Sequence, residues 1–176
     1  MTPRDAINLL IAAAGSSRVK DSVRLVQQHG ACRTEGKSWD LSFDGLPELR
    51  VLGAQHTFAD ALEALLHGAL TGSVDVATGY LNQGVSSGAL YPPALAIEVE
   101  IREPFAQADI TVGIHSFDED RAATIESRTV RRYEHIMEVD GSFHPPFEAP
   151  SLGDLTHIHM FSEKAIYRIA QEFLGS

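Results

Sequence analysis

Between Leu95 and Ile114 the chain alternates apolar and polar residues twice, and this rhythm restricts the fold more than any other feature. Leu95, Ile97, Val99 and Ile101 are interleaved with Ala96, Glu98, Glu100 and Arg102. After a turn at Glu103-Pro104, Ile110, Val112 and Ile114 resume the pattern. A period of two belongs to a strand, whose successive side chains point to opposite faces. One apolar and one wet face indicates antiparallel pairing, because parallel strands are buried on both sides. Phe117 to Arg121 reads as the next turn. Residues 122–139 fit either a strand, with Tyr133, His135, Met137 and Val139 on one face, or a helix, with Ile125, Thr129, Tyr133 and Ile136 on one face. The neighbouring strands and the turn signal Asp140-Gly141 favour the strand. A further strand is expected over Leu155 to Phe161. Ser162 can cap a last helix that buries Ile166, Ile169, Ala170 and Phe173 and stops at Gly175.

The first half has the longer period of helices. Thr2 can cap a helix with Pro3 in its first turn and Asp5 at the positive end of the dipole; Ile7, Leu10, Ile11 and Ala14 form its stripe. Val19, Val23 and Val26 suggest a second helix from about Arg18 to His29. Trp39, Leu41 and Phe43 alternate like a half-buried strand, Asp44-Gly45 is a hairpin signal, and Leu49 to Leu52 would return as an edge strand. Pro47 confines that return to an edge. Thr57 to Leu70 is the strongest helix, with Thr57 as cap, Asp60 three residues on, and Phe58, Leu62, Leu65, Leu66 and Ala69 on the apolar face. Residues 71–93 hold a run of glycines with Pro92-Pro93, which suggests a loop or lid with a short strand at Val74 to Ala77. The expected architecture is one α+β domain: N-terminal helices, a mainly antiparallel sheet in the second half, and a C-terminal helix packed on it, with the loop of about 71–93 between.

Charge and cysteine content bound the function. The chain has 176 residues and a formal net charge of −10. Most of the excess acid lies in the second half, which argues against general nucleic-acid binding, since an acidic field repels phosphate backbones. Arg128, Arg131 and Arg132 are the one local basic cluster. Cys32 is the single cysteine, so no intrachain disulfide can form and a reducing, cytoplasmic setting is expected. No apolar run reaches the ~18 residues that span a membrane. Asp5 cancels the charge of Arg4 and Asn8 interrupts the N-terminal apolar run, so the start reads as a helix rather than a secretory signal.

The stretch His144 to Glu163 gathers the most candidate ligands. His157 and His159 are two apart on the expected last strand and so share a face. Neutral imidazoles placed this way can chelate one transition metal, zinc, iron or copper. His144, Asp154, Glu163 and Glu148 are near in sequence as further ligands. The plainer reading is two histidines on the wet face of an edge strand. His157-x-His159-x3-Glu163 also resembles half of the first cupin motif over seven residues. Gly153 stands too close to it and only 13 residues follow Glu163, so the resemblance implies neither cupin activity nor cupin fold.

Other motifs are incomplete. Gly84-Val85-Ser86-Ser87-Gly88 matches the G-x-S-x-G of a nucleophile elbow, but that elbow needs a strand before the serine and a helix after it. Tyr80 to Gln83 is a poor strand, and Tyr91-Pro92-Pro93 excludes a nearby helix. Cys32 has no acid partner for thiol chemistry. His135 reads as a hydrogen-bonded core histidine. With no catalytic set complete, the leading expectation is a small acidic binding protein, such as a regulator, inhibitor or immunity-type protein. Glu98 and Glu100, with Asp118, Glu119 and Asp120 at the next turn, would form an acidic face for a basic protein partner. A metal-dependent enzyme or metal-binding protein using His157 and His159 is the alternative.

Overall fold

The computed structural model describes residues 1–15, 22–34, 39–41, 45–77, 94–103, 106–117, 123–134, 137–139, 142–144 and 157–174. Helices α1 (Pro3–Gly15), α2 (Ser22–Gly30), α3 (Pro47–Arg50) and α4 (Phe58–Thr71) come first. Strands β1 (Ala94–Glu103), β2 (Gln107–Phe117), β3 (Ala123–Glu134), β4 (Met137–Val139), β5 (Ser142–His144) and β6 (His157–Ser162) follow, and helix α5 (Glu163–Leu174) is last. Four strands form one antiparallel sheet in the order β3-β2-β1-β6, while β4 and β5 form a separate two-stranded ladder. The N-terminal helices, the antiparallel sheet and the packed C-terminal helix are those expected from the sequence, and residues 123–134 are strand.

Local chemistry explains the two best-capped helices. At α1, Thr2 N donates to Asp5 Oδ2 at 2.8 Å and Asp5 N donates to Thr2 Oγ1 at 3.2 Å. This reciprocal box satisfies two backbone donors that the first turn leaves free. The Thr2 hydrogen bonds hold the Asp5 carboxyl below the usual carboxylate range. At α4, Thr57 and Asp60 form the same box, and Gly72 closes the helix in the left-handed region at φ 80°. Among described helices, α4 is the most deeply embedded: Phe58, Ala61, Leu62, Leu65 and Leu66 are inaccessible to solvent.

One core joins both halves. It packs Ile7 and Ile11 of α1 and Leu62 and Leu65 of α4 with Val99, Ile101, Ile110 and Tyr133 of the sheet and Ile166 and Ala170 of α5. Two buried histidines bind helical segments to strands. His29 Nδ1 lies 3.3 Å from Leu25 O, and its Nε2 lies 3.1 Å from Arg102 O on β1. His56, just before α4, reaches Tyr133 on β3.

Several local expectations are corrected. In α2 the buried pair is Leu25 and His29, while Val23 is 65% exposed. Val26, of the same expected face, is partly buried against the core, Val19 lies outside the described residues, and His29 is held to Arg102 O of β1. Leu49 to Leu52 is not a return strand, because Pro47–Arg50 is helical. Pro47 suits the first helical turn, where its missing N–H costs nothing. The chain enters that turn through Leu46, whose φ of 50° is left-handed and whose side chain is buried. Trp39 and Leu41 are buried on either side of exposed Asp40, as alternation requires, yet they join no ladder. Residues 73–77 are helical rather than a strand. Val74 and Ala77, three apart, are buried and Val76 is exposed, which is a helical spacing. Of the expected loop of 71–93, Thr71 ends α4, Gly72 is a turn and residues 73–77 are helical. Its remainder, with Ser86, lies outside the described residues.

Candidate functional site

Register assembles the outer face of the sheet, opposite the core. One row across the four strands reads Arg132, Asp109, Glu100, Met160; the rows on either side read Val130, Thr111, Glu98, Ser162 and Glu134, Gln107, Arg102, Ile158. Glu98, Glu100 and Arg102 thus share the face that alternation assigned to them.

Asp109 and Glu100 are direct cross-strand neighbours, and like charges in that position destabilise a sheet. Two arginines offset the repulsion. Arg102 Nη2 lies 2.8 Å from Glu100 Oε2 and 2.9 Å from Asp109 Oδ2. From the other side, Arg132 Nε donates to Asp109 Oδ1 at 3.0 Å and Nη2 approaches Oδ2 at 3.5 Å. The side chain of Asp109 is only 6% exposed, so these partners replace the water it has lost. The hydrogen bond and charge of Asp109 in turn raise the Arg132 pKa. Glu98 takes part in no ion pair among the described residues.

Apolar groups flank this charge row. Met160 is 61% exposed and Ile158 53%, both on β6, and Val130 on β3 is 37% exposed. Asp118, Glu119 and Asp120, expected to extend the acidic face, lie outside the described residues. Asp109 and Arg132 were not singled out from the sequence as face residues. Asp109 is simply the polar position before Ile110, and only the β1–β2 register brings it against Glu100.

The candidate metal ligands are more dispersed. Positions 157 and 159 on β6 stand opposite Glu103 and Ile101 of β1. Ile101 is fully buried, so His159 belongs to the helix-side face, not the wet face. His144 is on β5, paired with Met137 in the small ladder, and Glu163 opens α5. Asp154, Glu148, Gly153 and His135 lie outside the described residues. Among the described residues, no three His, Cys, Asp or Glu side chains are placed to hold a metal together.

Cys32 is fully buried, with Sγ 3.2 Å from Gln28 O and 3.1 Å from Ala106 O. Burial pushes its thiol up to about 12, which removes the thiolate a nucleophile needs near neutrality. A second surface feature is an open groove of about 380 Å³ between α3 and α4, lined by Val51, Leu52, Ala64, Glu48, Asp60 and Glu63. Its carboxylates already have partners: Arg4 bridges Asp60 at 2.6 Å and Glu63 at 2.9 Å, while Glu48 accepts from Thr71 and Ser73. No helix among the described residues is long and apolar enough to cross a membrane. Compared with known proteins, the chain matches no protein family, no curated protein and no solved structure.

Proposed function

We propose that this is a non-enzymatic binding protein of the regulator, inhibitor or immunity type, which holds a basic protein partner against the outer face of its sheet. One observation carries the reading: Glu98 and Glu100 share that face with Met160, 61% exposed, and Ile158, 53% exposed. Carboxylates steer a cationic partner, and exposed apolar side chains supply the contact area that docking desolvates. The chain-wide charge of −10 reinforces the steering. Arg102 neutralises Glu100, so Glu98 is the stronger steering group.

The test is capture from a lysate of the source organism by immobilised protein at low and high salt. Wild type should retain a basic protein at low salt and release it at high salt, and Glu98→Lys should not retain it. A partner held equally by both proteins at both salts rules this face out.

A second reading, a metal-dependent enzyme or metal-binding protein, is favoured by the placement of positions 157 and 159 two apart on β6. Zinc, iron or copper bound there would co-purify at one equivalent with protein prepared without an affinity tag. Metal kept by a folded His157→Ala/His159→Ala variant ends that reading.

A further inference from the structure

The two edges of the four-stranded sheet differ in kind. At the β3 edge, Glu134 exchanges both backbone hydrogen bonds with Arg33, at 2.9 and 3.0 Å. Thr129 Oγ1 donates to Asp40 O at 3.0 Å, so the 39–41 segment also lies against β3. The strand carries Arg128, Arg131 and Arg132, and charges of this kind discourage a further strand from adding. β6 is the opposite edge. It pairs with β1 on one side, and among the described residues no strand pairs with it on the other. Its sequence, His157 to Ser162, contains no Lys, Arg, Asp, Glu, Pro or Gly. Ile158 and Met160 are more than half exposed on its outer face. A strand edge without Lys, Arg, Asp or Glu, to which no strand is paired among the described residues, is a template for another strand.

We propose that the occupant of this edge is a second copy of the chain, with β6 pairing antiparallel to β6 and two four-stranded sheets joining into one of eight. Self-complementarity selects this occupant. In an antiparallel pair, directly opposite residues lie on the same face, so a two-fold axis must pass through one residue of β6. An axis through His159 sets Ile158 of each copy opposite Met160 of the other. All four exposed apolar side chains then meet in one cluster on the outer face, where cross-strand apolar pairs stabilise a sheet. An axis through Met160 would instead oppose Ile158 to Ser162 and forgo that match. Because the axis is perpendicular to the sheet, both copies present Glu98 and Glu100 on the same side, but the pairing does not depend on the partner-binding reading.

Salt separates the two kinds of association. Each copy carries −10, so two copies repel at long range and screening should tighten their pairing. A basic partner would respond in the opposite sense.

The experiment is sedimentation equilibrium over a concentration series at low and moderate salt. Wild type should reach twice the 19.1 kDa of one chain, and at lower concentration when salt is added. Met160→Lys should raise the dimer dissociation constant by on the order of a hundredfold, because the two-fold axis counts the substitution twice. Val130→Lys, the matched change on β3, should leave it unchanged. The register has its own check. His159→Cys places two thiols across the axis, within the Cα separation of a cross-strand pair and of a disulfide. Mild oxidation should convert this variant to a covalent dimer, while Ser162→Cys should not convert. The only native cysteine, Cys32, is buried and contributes no background. A monomer at every concentration and salt overturns the proposal. So does a dimer that Met160→Lys leaves intact, or cross-linking that is equal for His159→Cys and Ser162→Cys. Should Met160→Lys fail to fold, the cross-linking pair decides.

Discussion

The hydroxyl of Tyr133 lies 2.8 Å from Nε2 of His56, 77 residues away in sequence and inside the core. The other ring nitrogen, Nδ1, is 2.7 Å from Gly53 O. A carbonyl only accepts, so Nδ1–H donates to it and Nε2 is left to accept from the tyrosine. This chain ties β3 to the turn before α4, and burial raises the Tyr133 pKa so that the phenol stays protonated. Tyr133→Phe keeps the ring and removes the donor. A buried acceptor left unpaired costs about 1–3 kcal/mol, so the urea midpoint should fall with little change in slope. An unchanged midpoint would show that the contact contributes nothing net.

The Asp109 network predicts an order of effects. Asp109→Ala removes the carboxylate that Arg102 and Arg132 share, leaves Arg102 with Glu100, and should cost about 1.5–3 kcal/mol. Arg132→Ala should cost at most about 1 kcal/mol, because that side chain is 56% exposed and water replaces much of the lost interaction. Thermal unfolding of the two variants measures the order, and equal costs would contradict the network described.

Cys32 predicts a protected thiol. The aromatic disulfide reagent DTNB should leave it unmodified in the native protein at pH 8 and react fully once the chain is unfolded. The pH dependence follows from the direction of the shift. Burial raises the thiol from 9.0 to about 12, so the folded state holds this proton more tightly than the unfolded chain. Its contribution to stability is complete below pH 9.0 and is lost as pH climbs from there toward about 12. Cys32→Ala should flatten that alkaline decline, and denaturant titrations at two alkaline pH values read the difference.

The Thr57 cap predicts a cost of about 1 kcal/mol for Thr57→Ala, through loss of the bond that Asp60 N donates to Thr57 Oγ1. Thr57→Asp keeps an acceptor in place and should recover most of it. Chemical denaturation of both variants checks the pair.

What was legible in the sequence is what local rules decide. The capping box at Thr57, the alternation in β1 and β2, and the amphipathic C-terminal helix each depend on residues close in the chain. The outward placement of Glu98 and Glu100 was legible for the same reason, since neighbours on one strand must alternate. The misreadings arose where short segments satisfy two patterns. Pro47 is as compatible with a helix start as with an edge strand, and Val74 to Ala77 is too short for periodicity to choose.

The sequence by itself therefore determined the antiparallel character of the second half, the helical character of the first and which residues of β1 share its outer face. Tertiary structure alone decided that Asp109 meets Glu100 and two arginines, that His29 rather than Val23 turns inward, and that β6 is the end strand of the four-stranded sheet. Each of these depends on strand register or on a partner dozens of residues away. A one-residue slip in register would send every side chain of a strand to the opposite face, and nothing within the strand itself states which neighbour it will meet.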